Sequence, residues 1–244
     1  MKRILEVCAG SVESVLAARN GGAARVELCS ALEIGGITPS VGLMHEARKV
    51  EGIKLHVLIR PRGGDFLYDE QETDCMVHDI IAAKECGADG VVIGALTPEG
   101  DIDTAVCRHL VEAADGMSIT FHRAFDMCCA PDKALEKIIS LGCDRILTSG
   151  QAATAEAGIE QLRKIINLAN GRISIMPGCG VNARNAAKIL DATNAYEIHA
   201  SARKDIGSKM IFRHCGVSMG NPENNEYTRK ESDSEEIRRI VDSI

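Results

Sequence analysis

The sequence contains no tryptophan, four phenylalanines and three tyrosines among 244 residues. So few aromatic rings exclude the stacking platforms on which single-stranded nucleic acids are bound. Positive charge is in deficit as well, with 28 Lys and Arg against 35 Asp and Glu and a formal charge of −7. Coating nucleic acid or an anionic membrane needs clustered cations, so neither is an expected partner. No uncharged run much exceeds about a dozen residues, the stretch 34–44 being among the longest, whereas a membrane helix needs about 20. The opening Met1-Lys2-Arg3-Ile4-Leu5-Glu6 places charge where a signal peptide has its apolar run. Cys-x-x-Cys, His-Glu-x-x-His and a paired Cys/His quartet are all missing, which removes the usual structural zinc sites. Ten cysteines are about 4% of the chain, too sparse for a disulfide scaffold. The expectation is a reduced, cytoplasmic protein.

What is present is a rhythm. Short runs rich in Val, Ile, Leu or Phe occur at 4–7, 25–29, 54–60, 90–95, 118–122, 145–148, 173–176 and 196–200. Helical patterns lie between them at 12–20, 39–50, 70–86, 102–114, 131–141, 155–169, 183–190 and 235–244. Ser11 and Ser234 suit N-caps, Pro131 suits a first helical position, and Gly87, Gly142 and Gly171 follow helix ends. Strict alternation predicts parallel strands with helical crossovers. Eight units of about 30 residues match a single-domain (β/α)8 TIM barrel over 1–244. A doubly wound sheet needs three glycines in its first phosphate loop, and Cys8-Ala9-Gly10-Ser11-Val12-Glu13 has one, so no nucleotide cofactor is indicated. The segment 202–233 breaks the rhythm and shows no elements of its own. Its first part, through Met210-Ile211-Phe212-Arg213, is expected to pack as a lid, and 220–225 to be a mobile turn region.

Strand side chains alternate in direction, so parity sorts them by face. Leu5, Val7, Val26 and Leu28 form apolar outer faces, which turns Glu6, Cys8, Glu27 and Cys29 inward. The same parity sends His56, Arg60, Thr120, His122, Glu197, His199 and Ser201 to the lumen. Barrel interiors are ordinarily filled by branched aliphatics. Buried charge is costly unless paired, so Glu6, Glu27 and Glu197 are expected to meet Arg60 or a protonated histidine. A self-satisfied polar core would explain any one pair; a cluster of this size near strand C-termini favours a site.

Three strand-end loops add small donors at one rim: Thr148-Ser149-Gly150-Gln151, Pro177-Gly178-Cys179-Gly180-Val181-Asn182 and His199-Ala200-Ser201-Ala202-Arg203. This fold often holds an anion there, although tight βα turns also need glycine. Cys8 and Cys29 fall at matching positions of strands about 4.8 Å apart, and two such thiolates suit a soft, low-coordinate ion such as Cu(I). Inert packing thiols are the simpler reading on parity alone. A Cys–His nucleophile with His122 or His199 is a third.

Leu5-Glu6-Val7-Cys8, Arg25-Val26-Glu27-Leu28-Cys29-Ser30, Gly35-Gly36-Ile37-Thr38-Pro39-Ser40 and Ile59-Arg60-Pro61-Arg62-Gly63-Gly64-Asp65-Phe66 closely resemble the CutC copper-homeostasis family. So do Thr120-Phe121-His122-Arg123-Ala124-Phe125-Asp126, Leu147-Thr148-Ser149-Gly150 and Glu197-Ile198-His199-Ala200-Ser201-Ala202-Arg203. The resemblance runs from about residue 3 to Gly220. It implies a TIM barrel, a cytosolic setting, self-association as a dimer or tetramer, and a role in copper tolerance with Cys8 and Cys29 as Cu(I) ligands. One departure is Cys179, where the family pattern has glycine in Pro-Gly-Gly-Gly, and its side chain would crowd that loop or add a thiol to the rim.

The alternative expectation is an enzyme acting on a small anionic or phosphorylated metabolite. Glu27, Arg60, His122, Glu197 and His199 would then be catalytic, His being suited to acid/base work near neutral pH. Glu6, Arg62, Arg123, Asp126, Ser149, Gly150, Gly178, Gly180 and Ser201 would bind the ligand. A scaffold working through oligomer surfaces is the plainest reading of all.

Overall fold

A computed structural model describes residues 3–214, 216, 217, 219 and 225–244. Strands and helices alternate as β1 (Ile4–Ala9), α1 (Val12–Gly21), β2 (Arg25–Leu28), α2 (Val41–Arg48), β3 (Lys54–Leu58), α3 (Glu70–Glu85), β4 (Gly90–Ile93) and α4 (Thr104–Ala114). The second half repeats this as β5 (Ser118–Phe121), α5 (Pro131–Ser140), β6 (Arg145–Thr148), α6 (Ile159–Ala169), β7 (Ser174–Pro177), α7 (Ala186–Thr193) and β8 (Glu197–Ala200). A hairpin of β9 (Arg203–Gly207) and β10 (Thr228–Ser232) precedes α8 (Ser234–Ser243). β1 to β7 are hydrogen-bonded in sequence order, β8 pairs with β1, and every pairing in this sheet is parallel. β7 and β8 pack together at the seam, giving the expected single (β/α)8 barrel.

Local chemistry explains the element ends. The Ser11 hydroxyl accepts from the Ser14 amide at the start of α1, and Gly22, at φ 90°, closes it. Asp69 and Glu72 form a reciprocal capping box on α3. The N-cap of α8 is Asp233 rather than the expected Ser234, because Asp233 is extended and its carboxylate accepts from Glu235, while Ser234 is already helical. β3 stops at Leu58, two residues early, because Arg60 leaves the ladder to bond with Thr38 through both its amide and its carbonyl.

Segment 202–233 corrects a larger expectation. It has its own antiparallel hairpin, with Thr228 opposite Gly207 and Ser232 opposite Arg203. The lid is not the apolar stretch, since Met210, Ile211 and Phe212 are exposed, Ile211 by 99%. They follow the end of β9. β10 is what packs on the mouth: Glu231 accepts from the Ser11 and Ser14 hydroxyls, and Ser232 donates to the Cys8 carbonyl. The mobility expected over 220–225 falls, for 220–224, outside the described residues.

The outer faces of the strands and the inner faces of the helices share one apolar layer that includes Leu5, Val7, Val26 and Leu28. α1 and α8 meet closely within it. A Cβ placed on Gly21 would lie 2.4 Å from Ile237 Cγ2, which no packed pair tolerates. Gly21→Ala would gain roughly 1 kcal/mol of helix propensity on a free surface. Here overpacking prevails, and a net loss of about 1–3 kcal/mol is expected in urea unfolding. An unchanged or stabilised variant would show that the α1–α8 contact is looser than described.

Candidate functional site

The lumen is organised by an arginine. Arg25, on β2, is 6% exposed and forms ion pairs with Glu6 of β1 and Glu197 of β8. Arg145 of β6 adds a 3.2 Å bond from Nε to Glu197 and reaches the Ser118 and Thr120 hydroxyls with Nη1. His199 of β8 sits with Nδ1 2.8 Å from Glu6 and Nε2 3.8 Å from Glu27. Burial alone would raise the Glu6 carboxyl, but Arg25 and the His199 hydrogen bond hold it well below the usual carboxylate range. Glu197 is likewise lowered against burial by Arg25 and Arg145. Burial, with the Glu6 charge adding to it, raises Glu27. Burial would also neutralise His199, yet hydrogen bonds with Cys8 and Glu6 and the nearby carboxylates keep it protonated well above its ordinary value.

Parity anticipated Glu6, Glu27, Glu197 and His199 in this space. It also contained the missing cations: Arg25 shares the face of Glu27 and Cys29 by two-residue spacing. Arg60 is the correction. It does not pair with the lumen carboxylates, because it stands beyond the end of β3. There its Nη atoms donate to the carbonyls of Ile34, Gly36 and Gly64.

The two cysteines meet above this network. β1 and β2 place Cys8 opposite Glu27, so the thiols are two residues out of register rather than at matching positions. Both point inward, and their sulfurs approach to 3.4 Å in a small cluster with Leu58 and Val92. Cys8, Cys29 and Glu27 bring one ligand atom each within 4.8 Å of one another, all buried. Hydrogen bonding to Cys29, then burial, push the Cys8 thiol well above its ordinary value. Cys107 and Cys143, by contrast, are buried among aliphatics as small core residues.

The rim loop after β6 holds an internal anion. The Asp126 carboxylate accepts from the amides of Ser149 and Gln151 and from the hydroxyls of Thr148 and Ser149. Arg123 completes the cage with a 2.8 Å bond to Asp126. Gly150 N–H donates to Thr148 Oγ1, and Gly178 N–H to the Thr148 carbonyl. The Gly180 carbonyl accepts from Asn182 and Asn185. Gly178 is needed for closeness, since a Cβ there would lie 2.5 Å from Leu147. Cys179 has φ 83° and donates its S–H to the Ala153 carbonyl at 3.2 Å, away from the thiol pair. Arg62 is tied to Asp65 and Glu72, and Ser201 is half-buried just past β8. His56 and His122 are buried, each with one nitrogen lacking a partner.

These features define a TIM-barrel protein with a charged, cross-linked lumen and a buried dithiol at the C-terminal ends of its first two strands. The chain belongs to the CutC family, whose sequence model matches residues 3–204. It is 51% identical over 243 residues to a CutC family protein of Bacteroides fragilis, covering 99% of this chain and 97% of that one. A relative from Chromobacterium violaceum is 47% identical over 244 residues, covering 100% and 99%. A solved CutC structure from Streptococcus agalactiae, described as a candidate copper homeostasis protein, superposes with a TM-score of 0.78 at 35% identity, over 81% of this chain and 97% of that chain. Phosphoribosylanthranilate isomerase of Thermotoga maritima shares the fold at 12% identity, TM-score 0.59, over 100% of this chain and 98% of that one.

The histidines set a pH dependence. Burial lowers His56 to about 4, and burial with the Arg60 charge lowers His122 to about 3. The folded state therefore keeps both neutral while unfolded chains protonate near 6.5, so their contribution is complete above pH 6.5 and falls as pH drops towards 4. Each should cost about 2 kcal/mol of unfolding free energy between pH 6.5 and 4.5. Urea unfolding at the two pH values measures this, and a His122→Gln variant should show a shallower slope. A flat profile in the wild type would contradict neutral, buried imidazoles.

Proposed function

We propose that this protein works in copper homeostasis by holding Cu(I) between the thiolates of Cys8 and Cys29. The observation that carries this is the 3.4 Å approach of two inward-facing sulfurs, buried beside Leu58 and Val92. Thiolates are soft donors and favour Cu(I) among the common metals. With metal–sulfur bonds of about 2.3 Å, a linear site needs sulfurs about 4.6 Å apart, so the pair must part by about 1 Å. Glu27 stands close enough to join or to orient the thiolates. The raised Cys8 thiol must lose its proton on loading. His199, whose Nδ1 stands 2.8 Å from Glu6 and whose interaction with Cys8 helps raise it, offsets the negative charge that then forms.

Cys8, His199 and Glu6 also stand in the order of a nucleophile, a base and its orienting acid. Hydrogen bonding to Cys29 and burial raise the Cys8 thiol, the opposite of the lowering that an activated nucleophile needs, which favours the metal-binding reading. A reducing, cytoplasmic setting and a homo-oligomeric state belong to the same proposal. Among the described residues no helix is long and apolar enough to cross a membrane.

Competition between reduced protein and a Cu(I) chelator tests the proposal. Affinity should rise with pH, because a proton is displaced. Cys8→Ser and Cys29→Ser should each weaken binding by more than roughly 100-fold, beyond the loss typical of an outer partner. Equal affinity in the double variant would overturn it.

A further inference from the structure

Arg60 is a buried cation without a counter-charge. It is 5% exposed, its two Nη atoms bond only to carbonyl oxygens, and among the described residues no carboxylate pairs with it. Its Nε has no hydrogen-bond partner, and neither do His122 Nε2 and the Tyr68 hydroxyl, both on buried residues. Arg60 and His122 flank one ring, that of Phe66. The Arg60 guanidinium carbon is 5.1 Å from the centre of Phe66, and the His122 ring centre is 4.9 Å from it. Tyr68 stands beside Arg60 and Arg62, with the Arg62 guanidinium carbon 5.3 Å from its ring centre.

Each of the three carries a hydrogen with no acceptor among the described residues, while the Tyr68 oxygen, beside Arg60, can itself accept. The Ala124 amide donates to His122 Nδ1, which puts the proton of the neutral ring on Nε2. Burial pushes the Tyr68 phenol up to about 12, so it keeps its hydrogen. Arg60 Nε–H cannot deprotonate. Three buried N–H and O–H groups with no acceptor are rare in a finished core, and a buried charge without a partner is rarer.

We propose that Arg60, His122 and Tyr68 form a binding site for the carboxylate of a small organic acid, with the Phe66 ring as its apolar wall. One permanent positive charge and two neutral donors match a single negative charge better than a dianion. The loop 61–69 supplies Phe66 and Tyr68 and is anchored by Arg62 to Asp65, Leu67 and Glu72. This is not the rim loop after β6, whose Thr148, Ser149 and Gln151 donors already surround Asp126. It adjoins the thiol pair through Gly36, whose carbonyl holds Arg60 and where a Cβ would lie 3.8 Å from Cys29 Sγ. It does not depend on copper binding, and its failure would leave that reading standing.

Metal-free, reduced protein titrated with acetate, and separately with inorganic phosphate, tests the site. The readout is the nitrogen-bound proton resonance of the His122 imidazole. Acetate should shift it saturably, and phosphate should bind more weakly. Tyr68→Phe keeps the ring and removes one donor, so it should weaken acetate binding roughly tenfold. His122→Gln should also weaken acetate binding, followed by calorimetry. No saturable response to acetate, an equal affinity in Tyr68→Phe, or tighter binding of phosphate would each overturn the proposal.

Discussion

The bridge from Arg25 to Glu6 and Glu197 is the interaction on which the rest of the lumen depends. It joins β1, β2 and β8 across the barrel interior, where a layer of branched aliphatics would ordinarily pack. Charges so deeply buried are tolerated only when each is answered, and removing one partner leaves the others uncompensated. Glu6 therefore serves twice, pairing with Arg25 through one oxygen and orienting His199 through the other. Through His199 the network reaches Cys8 and Glu27, so the dithiol rests on a rigid ionic floor.

A second theme is that the protein supplies its own anions where the fold offers donors. Asp126 fills the loop after β6, and Glu231 reaches the start of α1 through Ser11 and Ser14. Both satisfy groups that would otherwise attract a ligand. The Arg60 neighbourhood is different: Arg60 Nε, His122 Nε2 and the Tyr68 hydroxyl find no acceptor among the described residues. Within the barrel mouth, then, some polar groups are answered by the chain itself and these are not.

Much of this was legible residue by residue. The two-residue alternation in Leu5-Glu6-Val7-Cys8 and Val26-Glu27-Leu28-Cys29 fixes which side chains enter the lumen, because pleating leaves no other choice. The Ser11 and Pro131 signals were read correctly because capping is a local matter. Ser234 was misread because its neighbour Asp233 satisfies the same amides from a better backbone conformation. The hairpin of β9 and β10 escaped notice because its strands, Arg-Lys-Asp-Ile-Gly and Thr-Arg-Lys-Glu-Ser, are mostly polar and exposed. Their pairing rests on backbone bonds across an intervening stretch of chain that no short-range pattern reveals.

Periodicity, parity and punctuation by themselves determined a barrel of eight units and the identity of its inward-facing residues. Those properties belong to the backbone and repeat with it. Partner choice is different. Whether Glu6 meets Arg25 or Arg60, whether the Ser149 loop holds a ligand or Asp126, and whether Cys8 and Cys29 touch despite their two-residue offset all depend on strand stagger and where each strand ends. A shift of one or two residues in those endpoints moves a side chain several ångströms, farther than a hydrogen bond reaches. Only the closed barrel decided them.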